Sequence, residues 1–354
     1  MMEWMIYGAN GYTGELIARE AVARGLRPLL AGRSRAKLEP LARELGLKYR
    51  VFTLDQAPAD IATHLNGMGL VLLTAGPFSA TSAPMVQACL RARAHYLDIT
   101  GEIDVFERIS EQHGRAQAAG VVLCPGVGFD VIPTDCVAAA LKAALPDAVA
   151  LSLGFDTDAG MSPGTLKTTL ESAPQGGCVR IDGALVRVPL AHRTRRIDFG
   201  RGVRLAMAAP WGDVSTAFHS TGIPNVTVYF PVSRLEWMGV KLVNALRPLL
   251  GLKAVQGALA GLVSATVRGA DAEQRARTPT HVWGEAVNAR GERRTARLQT
   301  DNGYSFTVTG SLAVVGHLLK ATPGSGQSGF FTPSRLMGAG LASSLPHCGP
   351  IRID

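Results

Sequence analysis

The sequence predicts an α/β fold: a doubly wound parallel sheet followed by a second, α+β domain with a mostly antiparallel sheet. Three observations predict it. Over the first 130 residues short apolar runs alternate with helical stripes. Three glycines, Gly8, Gly11 and Gly14, directly follow the first of those runs. Beyond residue 150 the pattern changes to short alternating runs separated by turn signals such as "DG", "GRG" and "PWG".

The elements follow in order. "WMIY" (residues 4–7) is a continuous apolar run of the kind a strand buried on both faces requires. Residues 13–24 carry Leu16, Ile17 and Ala21 in a helical stripe; "PLLAG" ends at Gly32 as a second strand; residues 36–45 place Leu38, Leu41, Ala42 and Leu45 on one helical face. Residues 49–55, 69–76, 95–100 and 121–126 read as strands three to six, separated by helical segments at 58–65, 83–93 and 103–119. Such regular alternation implies right-handed crossovers and a parallel sheet covered on both faces, with a ligand beyond the carboxyl ends of the strands. A helix at 134–144 leads into alternating runs at 148–155, 179–181, 185–188, 196–199, 203–208 and 226–230. A hairpin follows at 281–289 and 295–300, then a further strand at 304–308. Residues 232–268 read as helical, rich in Leu, Val and Ala.

At 354 residues the chain fits two domains. The division is expected at 1–130, a nucleotide-binding domain, and 131–320, a substrate or dimerisation domain. With 47% hydrophobic and 18% charged residues the composition is that of an ordinary soluble protein, and the 40 glycines and 20 prolines are spread along it as turns. A net charge of +8 favours an anionic ligand or surface, but the basic residues form no run, so no nucleic-acid partner is expected. Five cysteines, Cys89, Cys124, Cys136, Cys178 and Cys348, form no CxxC pair. That excludes a disulfide framework or a thiolate zinc site, predicts no metal, and suits a reducing cytoplasm. The chain opens on a strand without a cleavable apolar leader, and the apolar region 240–267 is broken by Lys241, Arg247, Pro248 and Lys253, too often for a spanning helix.

The glycine spacing is GxxGxxG. Gly8 turns the chain out of the first strand, Gly11 lets backbone approach a pyrophosphate, and Gly14 lets the helix pack close to the sheet. Asn10, Tyr12 and Thr13 complete the turn, and the helix N-terminus offers amides to phosphate. Where an NAD site ends its second strand with a carboxylate, this chain has Gly32, Arg33 and Ser34, with Lys37 one turn further on. A guanidinium, a hydroxyl and an ammonium suit a 2′-phosphate, so the expected cofactor is NADP(H). Asp55, after the third strand, is a candidate to receive the adenine amino group or to cap the next helix; Thr74, Ala75, Gly76 and Pro77, after the fourth, form a loop for the nicotinamide ribose. Gly101 and Glu102, and Phe129 and Asp130, lie beyond strands five and six and face the same place by fold geometry.

The stretches "YGANGYTGELIA", "LAGRSRAKLEPLA", "TAGPFSATSAPMVQACLRARAHYLDITGE", "CPGVGFDVIPTD", "SPGTLKTTLES", "PWGDVSTAFHSTGIPNVTVY" and "SGFFTPSRLMG" give the chain a resemblance to the saccharopine dehydrogenase-like oxidoreductases, most of all to their trans-acting enoyl reductase branch. The resemblance implies a Rossmann domain, a second domain on a mostly antiparallel sheet, and a C-terminal segment, 321–354, that returns to the first domain. It also implies an NADPH-dependent oxidoreductase acting on an activated C=C bond, such as an enoyl thioester of a lipid or polyketide.

No tyrosine has a lysine four positions later and no HExxH is present, so the Tyr/Lys dyad and the zinc-helix motif are excluded. Cys124 and Cys136 flank "PGVGFDVIPTD" as buried structural thiols rather than nucleophiles. Asp213, His219, Ser220, Thr221, Asn225 and Tyr229 concentrate polar groups in a segment that otherwise reads as sheet. His219 or Tyr229 is the candidate proton donor, Asn225 or Thr221 the candidate enolate clamp, and Asp213 a further candidate. A saccharopine-type C–N oxidoreductase is the alternative, with Arg193, Arg195 and Arg196 as its carboxylate cluster; another is a non-catalytic NADPH-binding, lipid-associated protein. A homodimer and peripheral lipid contact through 232–268 are the partner expectations beside a small-molecule or acyl-thioester substrate.

Overall fold

The computed structural model describes residues 2–157, 175–245, 257, 261, 278–320 and 327–354. The first run of elements is β1 (Trp4–Tyr7), α1 (Tyr12–Ala23), β2 (Leu29–Gly32), α2 (Arg35–Leu45), β3 (Tyr49–Val51), α3 (Pro58–Thr63), β4 (Leu70–Leu73), α4 (Phe78–Ala92), β5 (His95–Asp98), α5 (Ile103–Ser110), α6 (His113–Ala119) and β6 (Val122–Cys124). Then come α7 (Ile132–Ala144), β7 (Ala148–Thr157), β8 (Gly177–Ile181), β9 (Ala184–Val188), β10 (Thr194–Asp198), β11 (Val203–Ala209), α8 (Asp213–Thr221), β12 (Asn225–Pro231) and α9 (Arg234–Ala245). The chain continues with β13 (Thr280–Asn288), β14 (Arg293–Thr300), α10 (Gly303–Lys320), β15 (Gly329–Phe330), α11 (Pro333–Met337) and β16 (Arg352–Ile353).

Two units form. The first comprises Met1–Ile132 and Tyr304–Gly338, the second Pro133–Gly303 and Ala339–Asp354. In the first unit β1, β2 and β4 are buried at every position, as strands sandwiched between helices must be. They lie in a parallel sheet of order β15-β6-β5-β4-β1-β2-β3. Strand order reverses between β1 and β4, which opens the crevice in which doubly wound folds place their ligand. One core packs Met5, Tyr7, Val71, Leu73, Tyr96 and Leu123 from the strands against Ile61, Met85, Val86 and Ile109 from the helices.

The second unit carries a mixed, mostly antiparallel sheet of order β10-β11-β12-β7-β13-β14-β16, with β8 on β12 and β9 on β8. Its β12–β7 pair is parallel. Gly154 in β7 and Gly284 in β13 sit where side chains would collide, the first with Phe199 at 3.2 Å, the second with Val137 at 2.6 Å. The expected α/β class with a second sheet domain is what the chain adopts.

Several elements differ from the sequence reading. Residues 304–308 are the start of helix α10, not a strand: aromatic and β-branched residues in a five-residue window do not separate the two periods, whereas the 18-residue helix buries Phe306, Ser311, Leu312, Val315 and Leu318 together. Residues 213–221 form α8, although Val, Ser and Thr there read as sheet; Val214, Ala217 and Thr221 follow helical spacing into the core. The helix expected at 103–119 is two, α5 and α6. The first stretch of the first unit ends at Ile132, and Tyr304–Gly338 belong to that unit as well. The C-terminal segment returns to the first sheet as β15 beside β6, but its last residues pair with β14 through β16 in the second. Of the helical reading at 232–268, α9 is described, and most of residues 246–268, like the "SPGTLKTTLES" stretch, lie outside the described residues.

Candidate functional site

The glycine turn is built by backbone contacts that admit no side chains. Gly8 leaves β1 with φ +89°, and its amide and that of Ala9 donate to the Ala31 carbonyl at 2.8 and 3.2 Å. A Cβ on Gly8 would lie 2.7 Å from the Ala75 nitrogen, so the turns after β1 and β4 touch. Gly11 N donates to Gly8 O at 2.9 Å and Glu15 N to Gly11 O at 2.8 Å, starting α1. On Gly14 a Cβ would sit 2.7 Å from Thr74 Oγ1, whose hydroxyl donates to Tyr7 O at 3.0 Å. Tyr12 and Thr13 open α1, which no side chain caps. Uncapped first-turn amides are what a helix offers a phosphate.

A second helix start at the same sheet edge is already filled. Glu102, from beyond β5, accepts from the Phe78 and Ser79 amides with both carboxylate oxygens, each at 2.8 Å, and so caps α4 just after Pro77. The Thr74–Pro77 loop is otherwise held by Thr74 N on Tyr7 O at 2.8 Å and Thr81 Oγ1 on Ala75 O at 2.6 Å, with a cis Gly76–Pro77 bond. Negative charge therefore stands at the start of α4, whereas no side chain caps α1.

At the end of β2, Asn10 reaches over Gly32: a Cβ there would lie 2.9 Å from Asn10 Oδ1. Arg33 and Lys37 are exposed, and among the described residues neither is engaged in an ion pair. Ser34 is the N-cap of α2, but its side chain makes no capping bond. Arg33 lies close enough to Tyr7 for its charge to favour the phenolate, though burial dominates and holds that phenol at about 12. Asp55 is exposed and accepts from Thr53 Oγ1. The alternative reading of Asp55 as a helix cap fails, because the N-cap of α3 is Ala57, no side chain caps it, and proline opens its first turn.

Beyond β5 and β6 the two loops meet. Asp98 is fully buried and accepts from Tyr96 Oη at 2.6 Å, Thr100 N at 3.0 Å and Gly126 N at 2.8 Å, which ties the end of β5 to the loop after β6. Burial pushes its carboxyl up to about 6 against those three hydrogen bonds. Gly101 packs against Asp130, whose carboxyl burial raises to about 7. Asp98 escaped the sequence reading; a lone acid at a strand end inside an apolar run was the signal for it.

In the second unit the polar residues of 213–229 occupy separate environments. Asp213, fully buried, accepts from Thr134 Oγ1 at 2.5 Å, and Ser220, seven positions on and on the same helix face, donates to Asp135. Both therefore fasten α8 to the start of α7. Thr221 donates to Ala217 O at 2.5 Å within its own helix, and His219 stands in the last turn of α8. Asn225 donates to Val149 O at 2.9 Å and accepts from Asp182 N at 3.1 Å, which stitches β12 to β7 and to the β8–β9 turn. Tyr229 belongs to an apolar cluster with Ile197, Phe199, Ala206, Ala208 and Trp283; burial raises its phenol, and the charges of Arg193 and Arg195 oppose the rise.

The arginine cluster is divided. Strand alternation within β10 puts Arg195 and Arg196 on opposite faces. Arg195 is committed to Glu285 by two hydrogen bonds of 2.9 and 2.7 Å and lies 5.1 Å from the Trp283 ring centre. On α9, Leu235, Met238 and Leu242 are 80%, 61% and 65% exposed, an apolar stripe at helical spacing. Among the described residues no group of three or more His, Cys, Asp or Glu is placed to hold a metal, and no helix is long and apolar enough to cross a membrane.

Comparison with known proteins agrees with this geometry. Residues 4–124 match the model of the saccharopine dehydrogenase NADP binding domain. A trans-acting enoyl reductase of Mycobacterium leprae is 35% identical over 139 residues, covering 37% of this chain and 33% of the relative. A putative trans-acting enoyl reductase of Mycobacterium tuberculosis is 32% identical over 182 residues, covering 47% of this chain and 43% of the relative. The matches thus span less than half the length of these curated relatives. A solved saccharopine dehydrogenase (L-Glu forming) of Saccharomyces cerevisiae superposes over 100% of both chains with a TM-score of 0.65 at 11% identity, a likeness of fold. The resemblance read from the motifs is borne out.

Proposed function

We propose, for a chain whose N-terminal third matches an NADP-binding domain of the saccharopine dehydrogenase type, that it is an NADP(H)-dependent oxidoreductase reducing an activated C=C bond, such as that of an enoyl thioester of a lipid or polyketide. The observation that carries the cofactor assignment is the end of β2. Arg33 and Lys37 stand exposed beside Ser34, no carboxylate follows Gly32, and the start of α1 lies one strand away with no side-chain cap. In this reading Gly8, Gly11 and Gly14 admit the pyrophosphate to the amides of Tyr12 and Thr13 and Asn10 flanks it. Arg33, Ser34 and Lys37 hold the 2′-phosphate, Asp55 faces the adenine, and Thr74–Pro77 border the nicotinamide ribose.

NADPH supplies the hydride when bound. What the chain adds is placement: the contact of Gly8 with Ala75 fixes the loops after β1 and β4 against each other, and Glu102 on the α4 amides ties the loop after β5 to them. His219 and Tyr229 stay the candidate proton donors of this reading; Asp213 is committed to Thr134, and Asn225, the candidate enolate clamp, to backbone partners. The C–N reading needs several arginines converging on a carboxylate, and the pairing of Arg195 with Glu285 weakens it. The Leu235, Met238 and Leu242 stripe supports peripheral contact with lipid or with a second copy of the chain; a cytoplasmic location completes the reading.

Fluorescence titration with NADPH and NADH on the wild type and on Arg33→Ala tests the cofactor. We expect tighter NADPH binding, weakened about 10- to 100-fold by the substitution with NADH unaffected, the worth of charge-assisted hydrogen bonds to phosphate. Equal or absent binding of both would overturn it. Oxidation of NADPH by a panel of enoyl thioesters then tests the reaction, and tight cofactor binding without turnover would favour the non-catalytic alternative.

A further inference from the structure

The match to a nucleotide-binding domain ends at residue 124, yet the first unit resumes at Tyr304 with α10. Three residues on one face of that helix, at i, i+3 and i+7, reach two distant loops of the sheet edge. The Tyr304 ring meets the Tyr12 ring edge to face, with centroids 5.1 Å apart and planes at 78°. Thr307 Oγ1 accepts from Phe129 N at 3.0 Å, and Ser311 Oγ donates to Val127 O at 3.1 Å. Tyr12 follows β1 and residues 127–129 follow β6, and in the sheet β4 and β5 lie between those two strands.

The lengths agree with a crossing. Three strand spacings separate β1 from β6 by about 14 Å. Seven helical residues rise about 10 Å, and a tyrosine side chain covers the remainder. Helix α10 thus runs across the carboxyl ends of β4 and β5, where the Thr74–Pro77 loop and Gly101 lie. Tyr304 and Tyr12 stand at its near end beside the glycine turn, Tyr12 44% exposed and Tyr304 half-buried. A dinucleotide laid from the end of β2 over the glycine turn toward the loop after β4 passes under that ring pair once it leaves its adenosine half.

We propose that Tyr304, from the C-terminal part of the chain, is a cofactor-binding residue that closes with Tyr12 over the pyrophosphate and nicotinamide half of NADP(H). The assignment rests on the NADP(H) reading above. It makes the nucleotide site a product of both ends of the sequence: the N-terminal domain supplies the floor and α10 the cover. An aromatic ring there excludes water from the phosphates and offers the nicotinamide ribose a flat apolar surface.

The test uses the full chain and two ligands, NADPH and adenosine 2′,5′-bisphosphate, which lacks the nicotinamide half. Tyr304→Ala should weaken NADPH about tenfold, the worth of one aromatic contact, and change the bisphosphate by less than about twofold. Tyr304→Phe, which keeps the ring, should bind both like the wild type. A second measurement needs no variant: tetranitromethane nitration of the wild type, mapped by peptide mass, should be suppressed at Tyr304 by NADPH and not by the bisphosphate. An equal loss of both ligands in Tyr304→Ala, no loss of either, or Tyr304 nitration that NADPH leaves unchanged would each overturn the assignment. If Arg33→Ala abolishes NADPH binding while Tyr304 proves indifferent, this inference fails alone. If the wild type binds neither ligand, the cofactor reading fails and takes this one with it.

Discussion

The sheet edge of the first unit and the polar stretch 213–229 of the second contain similar residue types, yet they are organised on different principles. At the sheet edge the shape is set by backbone: Gly8 against Ala75, Gly14 against Thr74, and amides on the Ala31 carbonyl. In the second unit Asp213, Ser220 and Asn225 are each held by a partner far along the chain, Asp213 by Thr134, Ser220 by Asp135 and Asn225 by Val149. A backbone-built site leaves its cationic side chains unspent, as with Arg33 and Lys37. Where polar side chains do the building, they are consumed by it. The lesson is that a concentration of polar residues in sequence is a weaker sign of chemistry than a spacing of glycines.

The strongest way to break this comparison is Gly14→Val. A β-branched side chain there must displace Gly8, Ala9 or Thr74, so we expect loss of NADPH binding together with a fall in stability of about 3 kcal/mol or more, of the order of other overpacked core sites. Thermal unfolding and cofactor titration would check it, and a variant that folds and binds normally would show that the turn does not need its close contacts.

Arg195→Ala sharpens the other side. It leaves Glu285, whose side chain is 10% exposed, without its bidentate partner. We expect about 2 kcal/mol of lost stability, below the cost at fully buried pairs because Arg195 is itself part-exposed and Arg293 stays 3.6 Å away. Urea unfolding should show the loss, and NADPH affinity should stay unchanged, since the contacts of Arg195 lie in the second unit.

A third test is a pH dependence at the first unit's edge. Asp130 is raised by burial to about 7 and Asp98 to about 6, so between the ordinary carboxylate range and those values the folded state holds more protons than the unfolded chain. Stability from these groups is therefore greatest in acid, declines as pH rises from about 4 to about 7, and is level above that. Asp130→Asn should raise the melting temperature at pH 8, where the wild type buries a charge, and leave it unchanged near pH 4. A difference that persists at pH 4 would show that Asp130 acts by packing rather than by charge.

Much of the first unit was legible because its signals are local. Strands of three or four apolar residues, helical stripes and three glycines within seven positions each declare themselves inside one window. Arg33 was legible as well, since the residue after β2 is fixed by strand length alone. The helices α8 and α10 were not: Thr, Val, Phe and Tyr fit both periods over a short window, and only the core they join selects the helix. Nor was the boundary at Tyr304, which depends on which sheet a helix meets.

What the sequence by itself determined is the parallel sheet, the glycine turn and the cationic end of β2, because turn geometry and strand burial are encoded by neighbours a few positions apart. Tertiary structure alone decided that Glu102 caps α4, that Asp213 and Ser220 fasten helices, that Arg195 is committed to Glu285, and that Tyr304 meets Tyr12. Those pairs are separated by tens to hundreds of residues. A side chain's work there depends on which partner folding brings within hydrogen-bond or van der Waals range, and no local pattern carries that distance.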